Sequence, residues 1–436
     1  MRLFYALLRQ IVLGTVFPCA IEGSTAFPPC DTSQCDMPKT SPSQPHPPRI
    51  AISLDVNQGF KRHQESYAGC QQYADAAGWH CTIEPAIDRV LMEGRGRPPF
   101  DGILARATPE IAKAARKKNV PLVNIWLNSP VEELPSVFPD FKGAGILAAE
   151  HLLARGFRQL AYLGYLGDID SRLQLEGMEK VTRRENCGLT SHRFSRTSMT
   201  GPARGWKQFV TKIQSWIESW QPPIGVLVCN DVFCRYLIDI CRSKKLHVSE
   251  EVAIVGTYNE SEICSAPSPS LTSIDMNCSQ VGYRAAALLD RLMSGGKPPP
   301  DPVMVAPAEL VPRQSTDLLA TDDPVVTKAL RFIAEHTHER IGVKQVVHAA
   351  GINRRSLERR FRESLNRTIS DEITRLRLER AKRRMVETSA PMKDVAVEAG
   401  FRNADHFYKV FNRIEGIPPT QFRVERQKVF LHITGN

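Results

Sequence analysis

Val343-Lys-Gln-Val-Val-His-Ala-Ala-Gly-Ile-Asn-Arg-Arg-Ser-Leu-Glu-Arg-Arg-Phe361 and Met392-Lys-Asp-Val-Ala-Val-Glu-Ala-Gly-Phe-Arg-Asn-Ala-Asp-His-Phe-Tyr-Lys-Val-Phe411 follow one pattern. Each opens as a short amphipathic helix, turns at a glycine (Gly351, Gly400) and resumes as a second helix whose apolar side chains recur four residues apart. Leu357 and Phe361 carry that spacing in the first passage, Phe407 and Phe411 in the second. This is the helix-turn-helix pattern, present twice and joined by a helical segment over 370–387. At 1.5 Å per residue that connector is roughly 27 Å long, enough to hold two reading helices about one duplex turn (~34 Å) apart.

Charge supports a polyanionic partner. The chain of 436 residues carries a formal net charge of +10, and from Pro324 onward there are 23 Lys and Arg against 13 Asp and Glu. The preceding 323 residues hold 34 of each, so the whole excess sits in the segment with the paired motifs. A localised basic field on paired helices points to double-stranded DNA. In the first unit Val343, Val346, Val347, Ala350, Ile352, Leu357 and Phe361 supply the core, leaving Arg354, Arg355, Glu358, Arg359 and Arg362 outward. Arg355 and Arg359 lie one turn apart and can enter a major groove together, where arginine pairs bidentately with guanine. Glu358 either selects cytosine or steadies a neighbouring arginine. In the second unit Asn403, Asp405, His406 and Lys409 face outward; Asn403 and Asp405 can equally be helix N-caps. Arg375, Arg377, Arg380, Lys382, Arg383 and Arg384 decorate the connector, and some of them are expected on phosphates.

Upstream the texture is different. Residues 1–20 pair Arg2 and Arg9 with a short apolar run and small residues, a weak signal-peptide pattern too short to span a bilayer. Residues 21–48 are rich in Pro, Ser, Thr and Gly and cannot build a core. The expectation for 1–48 is a disordered extension, or a start placed too early with Met37 as the alternative. From Arg49, strands at 50–54, 80–83, 101–105 and 120–125 alternate with helices at 61–77 and 109–118. A helix at 142–155 leads to a strand at 159–164. Helices at 173–186, 202–220, 231–244 and 279–294 then alternate with strands at 224–229, 252–256 and 271–274, and 303–312 reads as an edge strand. Such alternation gives parallel sheets covered by helices, here as two lobes of about 110–130 residues enclosing a cleft. Ligands in such sheets bind beyond the carboxyl ends of strands. The residues there are Asp55 to Asn57, Arg106, Asn128, Asp168 to Arg172, Asn230, Asp231, Tyr258 and Asn259. Trp126 and Tyr258 offer aromatic faces.

Eleven cysteines are odd in number and scattered; Cys30 and Cys35 have no matching second pair, so no zinc site is expected. Cys229, Cys234 and Cys241 read as packed thiols in a reducing cytoplasm. No Gly-x-Ser-x-Gly, phosphate-binding loop or His-Glu-x-x-His occurs, and His63, His80, His151 and His247 stand apart, so neither an enzyme nor a cofactor is expected.

The passage from Ala396 through Gly400-Phe401, Phe407-x-x-x-Phe411 and Gly416-Ile-Pro-Pro-Thr-Gln-Phe-Arg423 resembles the signature of AraC/XylS-type transcription regulators over about 100 residues. Gly143-Ala-Gly-Ile-Leu-Ala-Ala-Glu-His-Leu-Leu-Ala-Arg-Gly156, Cys229-Asn-Asp231, Val252-Ala-Ile-Val-Gly256 and the stretch from Ser273 to Gly282 resemble the periplasmic-binding-protein-like sensor of LacI/GalR regulators. A sensor ahead of an AraC-type domain is similar to the xylose-regulator subfamily. The resemblance implies an α/β two-lobed periplasmic-binding-protein-like effector domain over 49–312, a linker over 313–323 and an all-α double helix-turn-helix domain over 324–428. It implies a cytoplasmic homodimer that binds promoter DNA, works with RNA polymerase and responds to a small sugar, a xylose-like pentose. An exported sugar receptor, suggested by residues 1–20, is the alternative. The implied effector residues are Asn57, Arg106, Arg172, Gln174, Asn230, Asp231, Tyr258 and Asn259. Two positions depart from the family: relatives usually place an Asp where Tyr258 stands, and often a ligand-binding Arg where Gln174 stands, although Arg172 is nearby.

Overall fold

Fully apolar strands dictate the architecture, because a strand buried on both faces must lie inside a helix-covered sheet. The computed structural model describes residues 46–56, 60–93, 96–196, 203–265, 269–317, 320–321 and 323–424. Nearly all of the expected N-terminal extension lies outside these residues, as does Asn57. In the first lobe β1 (Arg49–Ser53), β2 (His80–Ile83), β3 (Gly102–Ala105) and β4 (Leu122–Asn124) form a parallel sheet of order β2-β1-β3-β4, with β2 at the exposed edge. Helices α1 (Lys61–Ala77), α2 (Ile87–Glu93) and α3 (Pro109–Lys118) accompany it, and β5 (Val137–Pro139) leads out.

The second lobe runs α4 (Phe141–Ala154), β6 (Gln159–Tyr165), α5 (Ile169–Arg184), β7 (Gly188–Phe194), α6 (Ala203–Glu218), β8 (Ile224–Val228), α7 (Asp231–Ser243), β9 (Val252–Thr257), α8 (Ser261–Cys264) and β10 (Thr272–Asp275). Its strands β8, β9 and β10 are buried throughout. The chain then returns: α9 (Cys278–Met293) packs on α1, and β11 (Val303–Val305) pairs with β5 in parallel. Finally β12 (Glu309–Val311) crosses back and closes the six-stranded sheet β12-β10-β9-β8-β6-β7, antiparallel to β10. The lobes are therefore interleaved rather than successive. The expected edge strand at 303–312 is two short strands, one beside each lobe's elements.

Glycines seal both helix pairs. A Cβ on Gly69 would fall 1.8 Å from the Ser279 carbonyl oxygen, and one on Gly282 would fall 1.9 Å from that of Ser66, so α1 and α9 meet backbone to backbone. Gly145 and Gly177 bring α4 and α5 equally close, with the corresponding Cβ positions 2.0 and 2.2 Å from the Gln174 and Lys142 carbonyls.

The C-terminal segment is all helical: α10 (Pro324–His336), α11 (Val343–Ala350), α12 (Arg354–Leu365), α13 (Ile369–Glu387), α14 (Met392–Glu398) and α15 (Ala404–Glu415). Asp323 caps α10, accepting from the Val325 and Val326 amides, and Pro324 fills the first turn. The connector α13 serves two cores. Ile369, Ile373 and Leu376 pack with Leu330, Leu357 and Phe361; Leu378, Ala381 and Met385 pack with Phe401, Phe407 and Phe411. One continuous helix thus anchors both units from different faces.

This segment docks on the second lobe. Arg331 makes a bidentate ion pair with Glu250, and Arg383 Nη1 reaches Asp317 Oδ2 at 2.9 Å. Arg375 Nη2 donates to the Asp317 carbonyl at 2.5 Å, and Arg155 Nε donates to the Thr316 carbonyl at 2.6 Å. Arg155 Nη1 also donates to His151 Nδ1 at 3.1 Å, which leaves His151 Nε2 as the donor to Thr316 Oγ1 at 3.0 Å. Burial first and Arg155 second hold the His151 pKa well below the usual imidazole range.

Candidate effector cleft and nucleic-acid interface

The strand ends of the two lobes face each other across a cleft. On the first lobe Asp55 follows β1, Arg106 follows β3 and Trp126 follows β4. Arg106 forms an ion pair with Asp55 and lies 4.7 Å above the centre of the Trp126 ring. On the second lobe Asp168 follows β6 and Arg196 follows β7. Arg196 Nε approaches the two Asp168 oxygens at 3.3 and 2.9 Å, and its guanidinium lies 4.1 Å over Tyr165. Burial and then the charge of Arg196 lower the Arg106 pKa, so the two arginines sense each other across the gap. Burial also opposes the charge on Arg196, but its bonds to Asp168 and the Asp168 charge prevail and raise its pKa.

Contacts among the described residues bridge the lobes. Asn128 Oδ1 accepts from the Ile169 amide at 2.6 Å, and Lys61 Nζ donates to the Asn259 carbonyl at 2.7 Å. Arg62 stacks 5.1 Å from the centre of the Tyr258 ring, whose other neighbour is Phe141. Tyr258 adopts φ +93°, a conformation that is strained for a bulky residue and holds its ring under the cleft. Near this hinge Lys61 pairs with Glu65 at 3.2 Å and with Asp275 at 3.9 Å; burial nonetheless pushes the Glu65 carboxyl up to about 7.

Chemically, each arginine–aspartate pair sets donors beside acceptors, the arrangement that vicinal hydroxyls need. The aromatic rings beneath add apolar faces for C–H groups. The arrangement suits a small polyol. No group of three or more His, Cys, Asp or Glu arranged to hold a metal occurs among the described residues.

The expected effector residues divide into two sets. Arg106 and Tyr258 line the gap. Asn230 caps α7, its Oδ1 accepting from the Phe233 amide at 3.0 Å. Asp231 is fully buried: Ser273 Oγ donates to Oδ1 at 2.6 Å and the Glu260 amide to Oδ2 at 2.8 Å, while burial raises its pKa to about 7. The Asn259 side chain lies between Arg313 Nη2, at 2.8 Å, and Asp275, at 3.4 Å. Gln174 accepts from Tyr162 Oη at 2.9 Å and donates to Thr257 Oγ1 at 3.0 Å inside the core. Arg172 is exposed and paired with Glu176 at 2.8 Å. Sequence reasoning passed over Arg62 and Arg196. The signal for Arg196 was its place just after β7, whose run Gly188–Phe194 is too polar to stand out as a strand because it forms an exposed sheet edge.

In the helical segment, α12 begins at the Asn353 cap and α15 at the Asn403 cap, with Oδ1 accepting from Ser356 at 2.9 Å and His406 at 2.8 Å. Asn403 is thus the cap residue, while Asp405 lies in the first turn of α15. Arg355, Arg359, His406 and Lys409 are exposed. Glu358 accepts from Arg354 Nε at 2.8 Å, which favours the steadying role for that carboxylate. Arg359 lies 3.6 Å from Glu363. The connector's basic residues contrast with the phosphate contacts expected of them, because they turn inward. Arg375 and Arg383 hold Asp317, and Lys382 bonds Glu379 and Glu415 at 3.2 and 2.7 Å. Arg377 bonds the Glu339 and Ile341 carbonyls, and Arg380 and Arg384 bond Glu398.

Residues 149–316 match a periplasmic binding protein-like domain, and residues 346–425 a helix-turn-helix domain. The chain is 26% identical over 396 residues to the xylose operon regulatory protein of Escherichia coli K12, covering 88% of this chain and 98% of that protein. It is 28% identical over 384 residues to the xylose operon regulatory protein of Haemophilus influenzae, covering 86% and 98%. Its fold matches the solved structure of the xylose-binding transcription activator xylR with a TM-score of 0.62 at 23% identity, covering 87% of this chain and 99% of that one.

Proposed function

We infer that this chain, which joins a periplasmic-binding-protein-like sensor to an AraC-type double helix-turn-helix domain and belongs with the xylose operon regulators, is a sugar-responsive DNA-binding transcription regulator. The observation that carries this reading is the docking of the helical segment on the cleft domain through Asp317, held by Arg375 and Arg383, and Glu250, held by Arg331, with the faces of α12 and α15 left exposed. A ligand that closes the cleft changes the relation between the lobes. It moves the DNA-binding segment only to the extent that it binds one arrangement more tightly than the other.

The effector is a small sugar, a xylose-like pentose by analogy with the relatives. It is held by Arg106 with Asp55, Arg196 with Asp168, and the Trp126, Tyr165 and Tyr258 rings. Arg354, Arg355, Arg359, His406 and Lys409 read or grip DNA, Glu358 orients Arg354, and Asn403 and Asp405 shape the start of α15. The protein acts in the cytoplasm as a homodimer, activates transcription by engaging RNA polymerase, and is not an enzyme. The exported-receptor alternative leaves the exposed basic helices without a role. Among the described residues no helix is long and apolar enough to cross a membrane.

A thermal-shift screen with D-xylose, L-arabinose, D-ribose, D-glucose and D-galactose tests the sensor. A ligand at 100 times its Kd stabilises the folded form by about 2.7 kcal/mol, so one pentose should raise Tm clearly and Arg106→Ala should abolish the rise. No response to any sugar, or a response unchanged in Arg106→Ala, refutes the assignment of the cleft.

A further inference from the structure

Arg377 stands where three parts of the DNA-binding segment meet. It lies midway along α13, and its Nη2 donates to the carbonyls of Glu339 at 3.2 Å and Ile341 at 2.8 Å, in the loop that joins α10 to α11 in the first unit. The turn of the second unit comes to the same point. A Cβ on Gly400 would fall 2.1 Å from the Thr337 carbonyl oxygen, 3.0 Å from Arg377 Nε and 3.1 Å from the Glu339 carbonyl oxygen. Gly400 also has φ +83°, so its lack of a side chain serves both the turn and the close approach. The guanidinium is half-buried, and burial lowers its pKa. Nη2 carries both bonds to carbonyl oxygens of the protein, while Nε is buried beside Gly400 with no hydrogen-bond partner and so is closed to a phosphate.

Neighbouring side chains complete the clamp. Arg380 Nε donates to the Glu398 carbonyl at 2.9 Å, and Arg384 Nε reaches the Glu398 carboxylate at 2.5 Å. These bonds fix the end of α14, two residues before the Gly400 turn. The shared helix α13 joins the two units by packing into both cores; the close approach of Thr337, Arg377 and Gly400 joins them a second time, directly.

We propose that Arg377, packed against Gly400, is the positioning residue that sets the separation of the two DNA boxes this protein accepts; the inference rests on the DNA-binding reading above. Shifting one box by one base pair displaces it by about 3.4 Å along the duplex and rotates it by about 35°. Two units held by direct contact cannot follow such a shift, whereas units joined by α13 alone have more freedom to do so. Arg377 therefore contributes to specificity without touching DNA.

The test is a selection of bound duplexes from a random library with the full chain, followed by affinity measurements on the recovered composite site with its boxes at the selected separation and one base pair closer or farther. Wild type should recover two boxes at one separation and bind the shifted sites at least about tenfold more weakly. Arg377→Ala should recover the same boxes over a range of separations and lose most of that tenfold discrimination. Its slope of log affinity against log salt should equal that of wild type, because no phosphate contact is removed. Arg377→Lys, which retains a donor for one carbonyl, should fall between the two, and it carries the test if the alanine variant does not fold. Equal weakening at every separation, or a slope reduced by about one, overturns the proposal. If wild type recovers no paired boxes, the DNA-binding reading itself fails, and this inference with it.

Discussion

Replacing Arg375 with alanine should separate the unfolding of the DNA-binding segment from that of the sensor. Arg375 Nε lies 3.1 and 3.0 Å from the Glu372 oxygens, Nη2 lies 2.6 Å from Oε1, and the same nitrogen reaches the Asp317 carbonyl at 2.5 Å. The Glu372 side chain is 0% exposed and that of Arg375 19%. Removing one member of a buried pair strands the other's charge and costs about 3–5 kcal/mol. Arg367, 3.6 Å from Glu372, offsets part of this, so a loss of about 3 kcal/mol is expected. With a urea m-value of ~2 kcal/mol/M, that lowers the midpoint of the helical segment by about 1.5 M. Trp79, Trp126, Trp206, Trp216 and Trp220 are the chain's five tryptophans, and all precede the helical segment. Tryptophan fluorescence therefore follows the sensor, while far-ultraviolet dichroism follows both parts. Wild type should show coincident transitions; in Arg375→Ala the dichroism should change first. Adding Glu372→Gln removes the stranded charge and should restore part of the loss. A shift below about 0.5 kcal/mol, or a further loss in the double variant, would refute the argument.

Three further outcomes are expected. His151 has a folded pKa below its unfolded value of about 6.5, so the unfolded chain binds more protons as pH falls through 6.5. Its contribution to stability is present above that pH and lost below it; urea midpoints measured at pH 7.5 and 5.5 should differ less in His151→Gln than in wild type. Gly69→Ala forces α1 away from α9, because the new methyl lies 1.8 Å from a backbone oxygen; it should cost roughly 1–3 kcal/mol in fluorescence-monitored unfolding, exceeding any gain in helix propensity. Arg355→Ala combined with Lys409→Ala should weaken binding to the selected DNA about tenfold or more and lower the salt slope, read by fluorescence anisotropy. Unchanged affinity and slope would remove α12 and α15 from the reading surface.

Local pattern carried most of the architecture. Apolar runs such as Val252-Ala-Ile-Val named the buried strands, and the Gly351 and Gly400 turns with their four-residue spacings named the paired helical units. A strand or an amphipathic helix is stated by residues within a few positions of each other, which is why these elements could be read directly. Polar β7 gave too weak a signal, and Arg196 was missed with it.

Partners were another matter. Asp231 and Gln174 looked like ligand-binding groups, yet Ser273, Thr257 and Tyr162 occupy their polar atoms; the basic residues of the connector looked like phosphate contacts, yet Asp317, Glu398 and the Glu339 and Ile341 carbonyls occupy theirs. The return of α9 to the first lobe was likewise hidden. A side chain's character and its face of a helix follow from its near neighbours in the chain. What that face meets is fixed by groups tens or hundreds of residues away, such as Asp317 for Arg375 or Asn259 for Lys61. Once buried, a charge or amide must find such a partner, because leaving it without one costs more free energy than the net gain of an ordinary hydrogen bond.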